Sequence, residues 1–426
     1  MSNPKVNNFI QKLNFLSAYS SLLVPVGIGL VAVFIFLFSG ILGGKLIKQI
    51  EDESVSVGKQ VRSGLKGTVS RNQWKVEQGY QQVHEADANH ISLLGIQGTQ
   101  RELLSYKIFP EPKETSTLIF DGFGKQFRKK IEAMISGINA VDCPSESELE
   151  RYLKGSDSDS SGRRRSRGSK LDEVNSTIKD VLCQTRAESA SVYGNATDLS
   201  GYEYWVEYEY IGMEEAAAEC WYWQLAYWII EDVIDTIGSM NSGSGSVFTS
   251  PVKRILHVGF STSSPLSSRT SVKGKRKSRS KSKSEENIES DSPFYILSED
   301  EGLTNSFTGR LTNEEIDVVH FAFSVLISNK KVLRFMDELS SSRSHIFKGF
   351  DGKGEEQTFK HNQITILKSN ISSIDRDGKE HELYRYGDDA VVELFLVCEY
   401  VFNRKGYEAI MPKSVVEETI ETGEED

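Results

Sequence analysis

The chain has 426 residues, a formal net charge of −11 and an apolar fraction of 38%. That fraction is low for one packed globule, so linkers or an exposed stalk are expected beside two or three domains. Its four cysteines, Cys143, Cys183, Cys220 and Cys398, show no CxxC spacing, which excludes a disulfide framework or a zinc site.

In chain order, an N-terminal segment (1–21) precedes a stretch without charge from Leu22 to Leu42, within "SSLLVPVGIGLVAVFIFLFSGILGGK". About 20 mainly apolar residues cross a hydrocarbon core as a helix. A signal-peptide core is shorter and ends at a small-residue cleavage site. The stretch therefore reads as an uncleaved transmembrane helix (22–42) that holds the chain on a membrane. No second apolar run approaches spanning length, so the reading is single-pass. Gly40 and Gly44 form a GxxxG pair, a spacing that lets two helices approach but is common by chance. Lys5 and Lys12 precede the span, and Lys45, Lys48, Lys59 and Arg62 follow it. A plain count puts the body in the cytoplasm, yet long domains translocate largely regardless of charge. Charge leaves the side open.

Residues 45–110 read as a helical stalk or loose coiled coil, weakened by Gly58, Gly64, Gly67 and Gly79 and ended by Pro110 and Pro112. The spacing of Phe120, Phe123, Phe127, Ile131, Met134 and Ile138 predicts an amphipathic helix. A short helix is expected after Pro144, then a polar loop "GSDSDSSGRRRSRGSK", then a helical face at Val174, Ile178, Val181 and Leu182. The alternation in "EYWVEYEYI" (203–211) predicts a half-buried strand. A helix from Glu214 to Met240 and a strand in "PVKRILHVGF", with Leu256, Val258 and Phe260 on one face, complete a first α+β unit within 115–261. Residues 262–292, rich in Ser, Lys and Arg, read as a disordered basic linker. In the second unit (310–405), "IDVVHFAFSVLI", "HIFKGF", "NQITILKSNISSID" and "AVVELFLVCEYVF" read as strands. A short helix carries Val332, Leu333, Phe335, Met336 and Leu339. Strand, helix, strand, strand predicts an α+β sandwich of ferredoxin-like type, and the two units read as loose copies, two ferredoxin-like strand–helix–strand units. An acidic tail (406–426) follows.

The search for chemistry returns near misses. His84 and His90 in "HEADANH" are six apart and fall on separated helix faces, so they share no metal. "DSDSSG" at Asp157 lacks the twelfth-position Glu of a calcium loop, and "GFGKQF" at Gly122 lacks a preceding strand and a third glycine. His257, His320, His345, His361 and His381 are scattered. The basic run "GKRKSRSKSK" has no aromatic residue to stack on bases, so no nucleic acid is expected. The run "CWYWQLAYW" has the helical spacing of a packed core face. No catalytic, cofactor-binding or metal-ligating residue is assigned.

The layout of one anchor, a helical stalk and strand–helix–strand units resembles the PilO/PilN-like inner-membrane proteins of type IV pili and the GspM-like proteins of type II secretion. The likeness is most specific in "DVVHFAFSVLISNKKVLRFMDELSSSRSHIFKGF", where Leu333, Phe335, Leu339 and Ser340 occupy the positions of the PilO-type helix face, and in the closing strand "VVELFLVCEYVF". It covers roughly residues 1–60 and 310–405. "FTGRLTNEEIDVVHF" and "YRYGDDAVVEL" also resemble uncharacterised planctomycete-type single-pass membrane proteins. The basic linker and the Trp-rich middle helix depart from the PilO pattern. The resemblance implies a non-enzymatic scaffold or alignment subunit of a pilus- or secretion-like assembly. Its body would be periplasmic, and it would pair with itself or with a homologous subunit, without a cofactor. The alternative is a membrane-anchored ligand-binding or sensor module.

Overall fold

The computed structural model describes residues 20–66, 70–158, 168–262 and 291–416. The expectations for the N-terminal segment 1–19, the centre of the polar loop, nearly all of the basic linker and the end of the acidic tail lie outside the described residues. The chain divides into two units, 1–88 and 89–426.

The first unit is helical. Helix α1 runs Ser20–Ile50, with Pro25 near its start, where a missing donor costs little. A π-turn at Glu51–Val55 leads into α2, Ser56–Lys66. Helix α3, Arg71–Thr99, begins in this unit and ends in the next. From Val26 to Leu46 the large apolar side chains of α1 are exposed all round, Phe36 to 78%. A helix apolar on every face suits lipid. It is one helix long and apolar enough to cross a membrane, and no other among the described residues is.

In the second unit, helix α3 stops at Thr99 and the chain then runs without regular structure to α4, Leu118–Gly137. The expected stalk therefore ends early. Arg101, Leu103, Ile108 and Phe109 are buried in the body, the last three because their apolar side chains join its core. Helices α5 (Glu146–Ser158) and α6 (Gly168–Ser189) follow. Helix α7, Met213–Met240, is the central element: Trp221, Trp223, Trp228, Ile229, Ile230 and Ile234 are all buried. Its apolar surface goes nearly all round because α4, α8 and the sheet all pack on it.

The expected strand at 203–211 does not form. Residues 201–206 make turns, with Trp205 N donating to Gly201 O at 3.1 Å and Val206 N to Glu203 O at 2.9 Å. The alternating bulky side chains cluster instead: the Tyr204 ring lies 5.0 Å from Trp223, and Trp205 lies 5.2 Å from Phe123. Gly201, at φ +84°, is required there, since a Cβ would sit 2.5 Å from the Trp223 ring.

Without that strand the two expected units become one sheet. Strands β1 (Val252–Gly259), β2 (Ile316–Ser328), β5 (Ile364–Ser373) and β6 (Val391–Asn403) stand in the order β1-β2-β6-β5, each antiparallel to its neighbour. Helix α8, Val332–Leu339, leaves β2. Strands β3 (Arg343–Phe347) and β4 (Gln357–His361) form a separate hairpin. β1 departs from simple alternation through two register shifts against β2, so Leu256 faces a smaller core on the far side while Val258 and Phe260 face the main one. β2 is buried on both faces because the chain around 295–312 and 384–391 covers the side away from α7. On α8, Val332, Phe335 and Leu339 are buried, but Leu333 is 81% exposed and does not belong to the core face. The supposed tail begins as part of the body: Tyr407, Ile410, Met411 and Val415 are buried, and Arg404 Nη2 donates to buried Asp317 at 2.6 Å.

The outer edge of β1 is covered by residues 193–200, with Ile255 N donating to Tyr193 O at 2.8 Å and Ser200 N to Val258 O at 2.8 Å. Among the described residues no strand pairs with the outer edge of β5.

Candidate functional site

The site is built where the chain leaving α3 crosses α7 and meets the β3–β4 hairpin. Thr99 Oγ1 donates to Asn403 O at 3.0 Å. Leu104 N donates to Gln224 Oε1 at 2.8 Å, and Trp228 Nε1 donates to Glu102 O at 3.1 Å. Side chains of α7 thus satisfy a backbone that has no helix or sheet partner.

Arg101, 4% exposed, is the centre. Its Nη2 donates to Glu231 Oε2 at 2.6 Å and to Asp232 Oδ1 at 2.9 Å. Its Nη1 donates to Trp228 O at 3.3 Å and to the Tyr400 hydroxyl at 3.2 Å. Asp232, 1% exposed, also has His361 Nε2 at 3.1 Å and the Tyr400 hydroxyl at 2.7 Å from Oδ2. Burial opposes the Asp232 charge, but the Arg101 guanidinium and His361 outweigh it and hold the carboxyl well below the usual carboxylate range. Tyr227 donates to Glu231 Oε1 at 3.0 Å.

His345 Nδ1 lies 2.9 Å from His361 Nδ1, and His345 Nε2 lies 2.9 Å from Gln100 O. Arg343 pairs with His361 and His345 with Phe359 across the hairpin, so the two histidines are diagonal neighbours on one face. Arg343 Nη2 donates to Thr236 Oγ1 at 2.6 Å and to two carbonyls at the end of α8.

Over this floor lies a cleft of about 380 Å³. Its mouth carries Gln126 and Lys130 from α4, Asp235 from α7, and Arg343 and Ser344 from β3. Packing around the Asp235 carboxyl, then the neighbouring Glu231 and Asp232 charges, push it up to about 6. Carboxylates and cations therefore face one space of small-ligand size. Among the described residues no group of three or more His, Cys, Asp or Glu side chains is arranged to hold a metal ion.

No site residue was assigned from sequence, and the structure brings together groups that looked unrelated. His345 and His361 are sixteen positions apart, and Arg101 sat in the expected stalk. The available signal was the hairpin: two short strands with a histidine on the same face of each. The other histidines stay apart. His84 and His90 lie on an exposed part of α3. His257 faces Asp291 at 3.5 Å, and His381 Nδ1 lies 2.9 Å from the Tyr386 hydroxyl. His320 Nδ1 accepts from Leu303 N at 3.2 Å.

Comparison with known protein families, with curated proteins and with solved structures found no match to this chain.

Proposed function

We propose that the chain is a membrane-anchored binding module whose α+β body receives a small polar ligand in the cleft between α4, α7 and the β3–β4 hairpin. The observation that carries this reading is the cleft itself: charged groups of both signs face one cavity, and its floor is the buried network around Arg101. Buried polar networks are costly unless every member is satisfied. This one also spares Lys130, Asp235 and one edge of Arg343 for a visitor. A ligand bearing both charges, of amino-acid size, fits that chemistry. The test is thermal unfolding of the full chain in detergent, followed by tryptophan fluorescence, against a panel of amino acids. A rise in midpoint that Ser344→Trp abolishes by filling the mouth supports the reading. A panel without effect, or one whose effect Ser344→Trp leaves intact, refutes it.

A second reading, the scaffold subunit of a pilus- or secretion-like assembly, is favoured by the bare outer edge of β5. Unpaired edges invite strand addition by another chain. The strand order supports a ferredoxin-like arrangement in which the second helix–strand pair, α7–β1, precedes the first. In this reading the anchor sits in the inner membrane, the body is periplasmic, and β5 pairs with a second copy or a homologous subunit. Ser369→Cys on that edge would then cross-link between copies in membranes. A chain that is strictly monomeric and captures no homologous subunit from membranes would rule the scaffold out. An alkaline phosphatase fusion after Ile410 decides the side of the membrane.

A further inference from the structure

The hydrogen-bond pattern of the histidine pair fixes how many protons it holds. A backbone carbonyl only accepts, so His345 Nε2 must carry a proton to bond Gln100 O at 2.9 Å. Asp232 accepts as a carboxylate, so His361 Nε2 must carry one as well, at 3.1 Å. The 2.9 Å contact between the two Nδ1 atoms needs one more, shared between them. Three protons on two imidazoles make one positive charge, since two neutral rings carry only two.

The surroundings suit that single charge. From the chain after α3 come Arg101 and Glu102, and from α7 come Glu231, Asp232 and Asp235. Arg343 comes from β3, Lys130 from α4 and Tyr400 from β6. Arg101 and the pair stand against Glu231 and Asp232, two charges against two. A second charge is resisted: burial, and then Arg101 and His361, outweigh the Gln100 bond and push His345 down to about 4.

The hairpin depends on this pair. Strands β3 and β4 bury no apolar side chain fully, and His361 is their one fully buried residue. Apart from the half-buried Phe347 and Phe359 and from Phe350 of the connecting loop, which packs on the main core, the hairpin is held by Arg343 and the two histidines.

We propose that the His345–His361 pair is a proton-operated latch on the cleft. When the pair gives up its third proton to water in the cleft, one of the three hydrogen bonds has no hydrogen. Two lone pairs then face each other: at Gln100 O this frees the hairpin from the α3 exit, at Asp232 it frees the hairpin from α7, and between the rings it pushes β3 and β4 apart. The latch stands on the hydrogen-bond geometry alone. It rests on the binding reading only for its consequence, that the cleft opens as pH rises.

The test is hydrogen–deuterium exchange of the full chain in detergent from pH 5 to 9, without ligand and corrected for intrinsic rates. Residues 100–104 and 343–361 should exchange about tenfold faster or more at the upper end, the change expected for loss of a charge-assisted hydrogen bond. Strand β6 should not change. In His345→Gln, which keeps a donor for Gln100 O and removes the shared proton, the hairpin step should vanish while β6 stays protected. Wild-type protection independent of pH overturns the latch, as does a step that persists unchanged in His345→Gln. Because no ligand is present, these outcomes are independent of whether amino acids bind.

Discussion

Replacing Arg101 with Met keeps most of the stem volume and removes the charge from the centre of the site. Glu231, on the cleft side and with its side chain 31% exposed, keeps Tyr227 and can rehydrate. Asp232 cannot. With a side chain 1% exposed it retains only His361 and Tyr400 against full burial. Breaking a buried pair by removing one partner costs about 3–5 kcal/mol, here because Glu231 and Asp232 are left facing only the single charge of the histidine pair. Urea unfolding of the full chain in detergent reads this directly, since Trp205, Trp221, Trp223 and Trp228 are all buried in the body. Adding Asp232→Asn to Arg101→Met should recover part of the loss, with an interaction of about 1–3 kcal/mol. A single-variant loss below about 1 kcal/mol, or strict additivity in the double variant, would refute the argument that the pair is uncompensated when split.

Asp235→Asn should stabilise the body at pH 7. The folded carboxyl binds its proton up to about pH 6 against an ordinary value of 3.8, so folded stability falls as pH rises through that window. With the carboxyl partly open to water, the gain is about 1 kcal/mol, and it should disappear below pH 4; an equal gain at both pH values speaks against the cause given. Gly124→Ala should destabilise the body although alanine favours helices by about 1 kcal/mol, because the new Cβ would lie 2.6 Å from the Trp205 ring. A rise in thermal midpoint would contradict that packing. Phe335→Ala should cost about 3–5 kcal/mol in the same urea assay, whereas exposed Leu333→Ala should cost under about 0.5 kcal/mol. Equal losses would mean that α8 is rotated from its described face.

What was legible in the sequence was local. The faces of α4 and α7 follow from residues three and four apart, and the long strands β2 and β6 from their mainly apolar runs. The strand expected at 203–211 failed because bulky residues at 204, 205 and 208 serve a turn-borne aromatic cluster as well as they serve a sheet face. The merging of two units into one sheet was not legible, since β1 meets β2 across the whole basic stretch and pairing at that separation leaves no periodic trace. The site was hidden for the same reason. Arg101, Asp232, His345, His361 and Tyr400 come from five separate stretches, and only the fold makes them neighbours.

The crossing from β1 to β2 has a consequence for how the molecule can be taken apart. Phe260 N donates to Asp291 Oδ1 at 2.6 Å and Ser200 Oγ to Asp291 O at 2.8 Å, so the chain departs and re-enters at one spot. Lengthening or shortening what lies between changes closure entropy only slowly with length. The two flanking pieces share the β1–β2 ladder and one apolar core. A chain severed in the basic stretch therefore has reason to remain one particle. The halves expressed separately, one carrying α1 and one without it, would then serve as a complementation pair, the second captured by the first.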